Sequence, residues 1–168
     1  AGRGRRLVTH AGWPPDGLLL DTHVLIWYTQ GDRAEMSPSC VVELDAARAS
    51  GRLVASAMSV RELAMLEARG RIGLAIECGA WVERSRREYH VRYVPLEAEV
   101  AIASTRLPGV VHRDPIDQML VATARHYGWR LVTRDRAILE YASHGHVKAL
   151  DAGRGRAVGE PRRRPRAR

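Results

Sequence analysis

Short, wholly apolar runs alternate along the chain with longer stretches of helical period. Leu18-Leu19-Leu20 is apolar at every position, the pattern of a strand buried on both faces. Similar runs recur at Leu53-Val54-Ala55, at 91–94 and at 130–133, and 147–150 reads as a final edge strand. Between them the periodicity predicts helices at 22–28, 38–49, 59–69, 75–89, 97–106, 115–127 and 137–142. Ser37-Pro38 supplies an N-cap and a first-turn proline, and Gly51, Gly70, Pro108-Gly109 and Gly128 supply stops. Strands that alternate with helices predict an α/β architecture with a mainly parallel sheet. At 168 residues the chain suits one domain with a sizeable core.

In such a sheet the strand-to-helix handovers share one edge, where residues distant in sequence meet. Four acids occupy these positions. Asp21 follows Leu18-Leu19-Leu20, Glu62 follows the second strand, Asp117 sits in the first turn of the 115–127 helix, and Asp135 follows the fourth strand. Each also has a local explanation. Asp21 and Asp135 suit helix N-caps. Ser59-Val60-Arg61-Glu62 matches a capping box, with Glu62 bonding back to the Ser59 amide. Asp114 before Pro115 suits an N-cap, with Asp117 favoured by the helix dipole. Capping explains an acid at each place but not four of them on one edge. Two carboxylates about 4 Å apart repel by roughly 4 kcal/mol at an effective dielectric of about 20, so a gathered set calls for a cation or raised pKa values. Ligands that are all oxygen suit Mg²⁺ or Mn²⁺, and the reaction class that follows is phosphodiester hydrolysis.

Charge changes the picture only once it is located. The formal net charge is +8, but residues 1–6 carry three arginines and residues 151–168 carry seven against two acids. The segment between them balances. The two ends, 1–16 and 151–168, read as disordered basic extensions, solvated or serving as an electrostatic handle for nucleic acid. Cys40 and Cys78 are the only cysteines and form no C-x-x-C pair, which argues against a thiolate zinc site and demands no oxidising compartment. Without an apolar span or a signal-peptide core, a cytoplasmic location is the expectation. No phosphate-binding loop or nucleophile elbow is present. His144-Gly145-His146 reads as a surface turn. His23 reads as a helix residue packed near the site, and Trp27, Trp81 and Trp129 as core or interface residues. With no Phe and no clustered aromatics, no base-stacking platform is visible.

The segments around the four acids resemble those of a known family. Leu18 to Trp27 resembles the first motif of PIN-domain nucleases of the VapC toxin type, Ser56 to Leu66 the second, His112 to Ala124 the third, and Leu131-Val132-Thr133-Arg134-Asp135 the fourth. The resemblance runs from about residue 17 to residue 150. It implies a three-layer α/β/α PIN fold with a four- or five-stranded sheet, and a Mg²⁺- or Mn²⁺-dependent endoribonuclease. Asp21, Glu62, Asp117 and Asp135 would hold the metal and carry catalysis. Thr22, Asp114 and Thr133 would line the site, with Thr133 as hydroxyl partner to water or phosphate. Arg113 and Arg134 are candidate phosphate ligands, or else neutralise Asp114 and Asp135. RNA substrates such as tRNA or rRNA, a VapB-type antitoxin and dimerisation are implied. The alternatives are a non-catalytic PIN-like module that binds RNA or an antitoxin, and a DNA-directed nuclease of the same fold.

Overall fold

The computed structural model describes residues 12–109 and 114–153. The expectations for Arg113 and for both arginine-rich ends (1–11 and 154–168) lie outside the described residues. Five strands, β1 (Leu18–Leu20), β2 (Leu53–Ser56), β3 (Arg92–Val94), β4 (Arg130–Thr133) and β5 (Lys148–Asp151), form one sheet in the order β3-β2-β1-β4-β5, with every pairing parallel. The helices are α1 (Thr22–Gln30), α2 (Pro38–Ala49), α3 (Ala57–Ala68), α4 (Cys78–Tyr89), α5 (Ala98–Ser104), α6 (Pro115–Tyr127) and α7 (Arg136–Ser143).

Two cores flank the sheet, because successive strand residues point to opposite faces. Leu18 and Leu20 join Val24, Leu25, Leu44, Leu63 and Trp81 on the α1–α4 side. Leu19 joins Leu120, Val121, Leu131 and Ile138 on the α6–α7 side. The layers are therefore α/β/α. Among the described residues, no helix is long and apolar enough to cross a membrane.

Several boundaries differ from expectation for physical reasons. Helix α3 begins at Ala57, not Ser59, because Ser56 caps it by accepting from the Met58 amide at 3.1 Å. The expected capping box at Ser59 is therefore absent, which leaves Glu62 for another partner. Helix α4 begins at Cys78, where the Glu77 carboxylate accepts from Gly79 and Ala80. An unpredicted 3-10 turn, Arg33–Glu35, follows α1. The folded body is also longer than 17–150. Upstream, the Trp13 ring packs edge-on against Tyr127 and Trp129, and the Trp129 indole donates to Pro14 O at 2.7 Å. Downstream, the fully buried Ala152 donates its amide to Thr133 O at 2.8 Å.

Candidate active site

Strand register sets the site. Leu20 pairs with Ala55 of β2 and Val132 of β4, so Asp21, Ser56 and Thr133 emerge level with one another at the C-terminal edge. Strand order reverses between β1 and β4, the switch point where α/β folds place ligands. A cavity of about 330 Å³ opens there, lined by Asp21, His23, Trp27, Glu62, Asp114, Asp117, Arg134 and Asp135. The structure thus brings together the four acids singled out from the sequence, along with Asp114.

Capping and convergence prove compatible. Asp21 N-caps α1, accepting from the His23 amide at 3.3 Å through Oδ1, while its Oδ2 accepts from the Thr133 hydroxyl at 2.6 Å. Asp135 N-caps α7 through the Ile138 amide at 2.9 Å. Asp114 N-caps α6, accepting from the amides of Ile116 at 2.8 Å and Asp117 at 3.3 Å. A cap bond costs one carboxylate oxygen and in return fixes the direction of the other. Glu62 is held differently: the Thr22 hydroxyl donates to its Oε2 at 2.5 Å.

Two expectations about the lining are corrected. Thr22 and Thr133 are fully buried and do not line the cavity. They stand behind the acids and orient them, because a hydroxyl so enclosed is satisfied by the nearest carboxylate rather than by a ligand. Arg134 does line the cavity, but it pairs with neither Asp135 nor an open space. Its guanidinium donates to Glu35 Oε2 at 2.7 Å and Glu35 O at 3.0 Å, and lies 4.6 Å from the Trp27 ring centroid. The 3-10 turn that supplies Glu35 carried no signal in the hydrophobic pattern. The sequence placed His23 near the site and offered Arg134 as a phosphate ligand, but gave no hint that Trp27 stands with them, since Arg134 arrives from the far end of the chain.

The donor set suits a hydrated divalent ion. Among the described residues no three His, Cys, Asp or Glu side chains already close into a metal cage. Mg²⁺ does not require one, since it keeps several waters and takes one or two carboxylates directly. The thiols are no competitors: both are buried, and burial pushes Cys40 up to about 11. His144 and His146 stay in their turn, bound to Glu140 O and stacked on Tyr141 respectively.

The comparisons with known proteins agree with this geometry. The family model of the PIN domain matches residues 18–143. Ribonuclease VapC22 of Mycobacterium tuberculosis is 37% identical over 134 residues, which span 79% of this chain and 95% of that protein. Among solved structures, FitAcB from Neisseria gonorrhoeae superposes with a TM-score of 0.54 at 22% identity, covering 80% of this chain and 97% of that one. DNA-bound VapBC from Salmonella typhimurium does so with a TM-score of 0.54 at 16% identity, covering 81% and 98%. At such identities the two structures speak for the fold alone. The five-stranded parallel sheet, the match over residues 18–143 and the VapC relative together establish that this chain belongs to the PIN-domain family.

Proposed function

We propose that the protein is a Mg²⁺- or Mn²⁺-dependent endoribonuclease that acts as the toxin of a toxin–antitoxin pair. The observation that carries this reading is the meeting of Asp21, Glu62, Asp117 and Asp135, from four separate elements, in one cavity at the sheet's switch point. A binding module has no need of such a set, whose mutual repulsion disfavours an anionic ligand unless a cation intervenes. The related protein's name, ribonuclease VapC22, supports RNA as the substrate. A VapB-type antitoxin as partner belongs to the same reading; FitAcB and VapBC contribute the shared fold.

Asp21, Asp117 and Asp135 are the carboxylates that would hold the ion, with Glu62 beside them. When bound, the ion screens the carboxylates and polarises the phosphodiester. The chain's own residues supply the rest. Glu62, fixed through one oxygen by Thr22, orients the attacking water and takes up its proton. Thr133 holds Asp21 in place and accepts the Asp135 amide at 3.0 Å, which couples two of the acids through one hydroxyl.

The test is cleavage of labelled RNA by the purified protein with Mg²⁺, with Mn²⁺ and with EDTA, beside Asp21→Asn and Asp117→Asn. Cleavage is expected with either ion and should fall at least about 100-fold in each variant, the scale of losing one group that acts mainly in the transition state. Undiminished cleavage in EDTA, or in either variant, would sink the mechanism.

A further inference from the structure

We infer that Glu35 is a positioning residue: with Trp27 it holds the Arg134 guanidinium at the cavity wall as a preset fork for one non-scissile phosphate of the RNA. The inference rests on reading the cavity as an RNA cleavage site, and it adds how that site grips the backbone beside the cut.

An arginine next to a site acid in sequence has two simple fates, to fold back on that acid or to extend into solvent. Arg134 follows neither. It lines the same cavity as Asp21, Glu62, Asp117 and Asp135, and 35% of its side chain remains exposed. Both of its hydrogen bonds leave from Nη1, to Glu35 Oε2 at 2.7 Å and to Glu35 O at 3.0 Å. The guanidinium carbon lies over the Trp27 ring, 4.6 Å from its centroid, and that ring is packed on the core of the α1–α4 side. One face of the guanidinium therefore rests on a fixed support, and its in-plane edges remain. A guanidinium carries five N–H donors in one plane. Glu35 takes the two of Nη1, and no acceptor among the described residues takes Nε or Nη2. Nε–H and one Nη2–H point the same way, the two-pronged edge that matches two oxygens of a phosphate.

The anchor is itself anchored. Glu35 ends the 3-10 turn Arg33–Glu35. At the start of that turn Arg33 grips Asp45 of α2 through two bonds, 2.9 and 3.2 Å, and the Tyr28 hydroxyl donates to the same carboxylate at 2.8 Å. Past its end Met36 is buried, and the Ser37 amide donates to Ala152 O at 3.2 Å. A turn pinned on both sides fixes where Glu35 stands, and with it Arg134. Glu35 offsets part of the arginine's charge; what it supplies is direction. The rotamer freedom that a loose arginine loses on binding is lost during folding instead, which lowers the cost of taking a phosphate. The fork is also tied to the acids, because Arg134 sits between Thr133, which bonds Asp21, and Asp135, which caps α7. A phosphate held there brings the neighbouring linkage of the same strand to the carboxylates. A strut that merely fastens the turn to the sheet would show the same bonds, and binding that depends on one phosphate tells the two apart.

The experiment uses the full-length protein and a short single-stranded RNA that it cleaves. Each non-scissile phosphate in turn is replaced by a neutral methylphosphonate, and each RNA is compared with one bearing only the 2′-O-methyl sugar that this linkage needs. KM and kcat are measured for wild type, Arg134→Ala, Arg134→Lys, Glu35→Ala and the double variant, and the folded state of each is checked by thermal melting. In the wild type, one methylphosphonate beside the cut should raise KM about 10-fold, the scale of a charge-assisted hydrogen-bond pair. Arg134→Ala should raise KM for unmodified RNA by a similar factor, with a smaller change in kcat, and the same methylphosphonate should then cost nothing further. Arg134→Lys keeps the charge but not the fork, so it should recover only part of the loss. Should Arg134→Ala fail to fold, the methylphosphonate comparison is made in Arg134→Lys, where the penalty should shrink. Glu35→Ala should raise KM in the wild type and add little once Arg134 is gone, as expected of a residue that acts through the arginine. If KM is unchanged in the folded Arg134 variant, or if the methylphosphonate penalty persists undiminished in it, the fork is overturned while the nuclease stands. If Glu35→Ala has the same effect with and without Arg134, the positioning role is overturned. If the wild type cleaves no RNA with either ion, the ribonuclease reading itself falls, and the fork with it.

Discussion

One hydroxyl, that of Thr133, joins two of the acids, donating to Asp21 at 2.6 Å and accepting the Asp135 amide at 3.0 Å. Thr133→Val keeps the shape and removes both bonds. Cleavage should fall about 10- to 100-fold, the usual loss when a group supporting a metal ligand is removed, with melting temperature changed far less. Assays of kcat and thermal melting on one preparation check this, and full activity would show that the hydroxyl only fills space. Ser59 presents the opposite case. Its hydroxyl is buried and lacks a hydrogen-bond partner, the one such side-chain atom among the described residues. An unsatisfied buried hydroxyl costs about 1–3 kcal/mol, so Ser59→Ala should stabilise the protein, and urea unfolding should show a higher midpoint at unchanged m. The sequence placed Ser59 at the helix start, where its hydroxyl would have been used. The structure begins the helix at Ala57, with Ser56 as its cap, and leaves Ser59 inside. A single hydroxyl bond decided between two serines three residues apart, and periodicity has no means of weighing that choice.

At the scale of elements, the strands act as rulers. β1, β2 and β4 end in register, and that common edge turns caps into a site. Registration depends on close packing behind β1. A Cβ on Gly17 would lie 2.9 Å from the Trp129 indole nitrogen, whose hydrogen bond to Pro14 holds the residues before β1. Gly17→Ala should therefore destabilise the protein by about 1–3 kcal/mol, as overpacking does, because Trp129 cannot move without losing that bond. Chemical denaturation measures it, and an unchanged midpoint would mean that the indole yields freely. Most element cores were legible from the apolar runs and the Pro and Gly stops. Their ends were not: Glu77 and Ser56 capped helices at positions that the periodicity does not distinguish from their neighbours.

At the scale of the whole molecule, electrostatics governs. The cavity concentrates carboxylates in a body whose charges otherwise balance, while the net positive charge lies at the two ends of the chain. Binding of Mg²⁺ or Mn²⁺ should relieve that repulsion and stabilise the fold. At a free ion concentration about 100 times Kd the gain is about 2.7 kcal/mol. Thermal melting should rise with added ion in the wild type, and rise less in Asp21→Asn. An equal rise in both would place the ion outside this cavity.

The sequence alone carried the α/β class and the parallel sheet and, through the four motifs, singled out the four acids, because apolar runs, stops and short motifs are local signals that survive in one dimension. Tertiary structure decided what stands beside those acids. Thr22 and Thr133 became buried supports rather than lining, Arg134 was drawn to Glu35 and Trp27, and an aromatic wall appeared where no cluster could be read. Each of these depends on contacts between residues up to about a hundred positions apart. Their strength is set by enclosure and geometry, which a string of residues does not carry until it is folded.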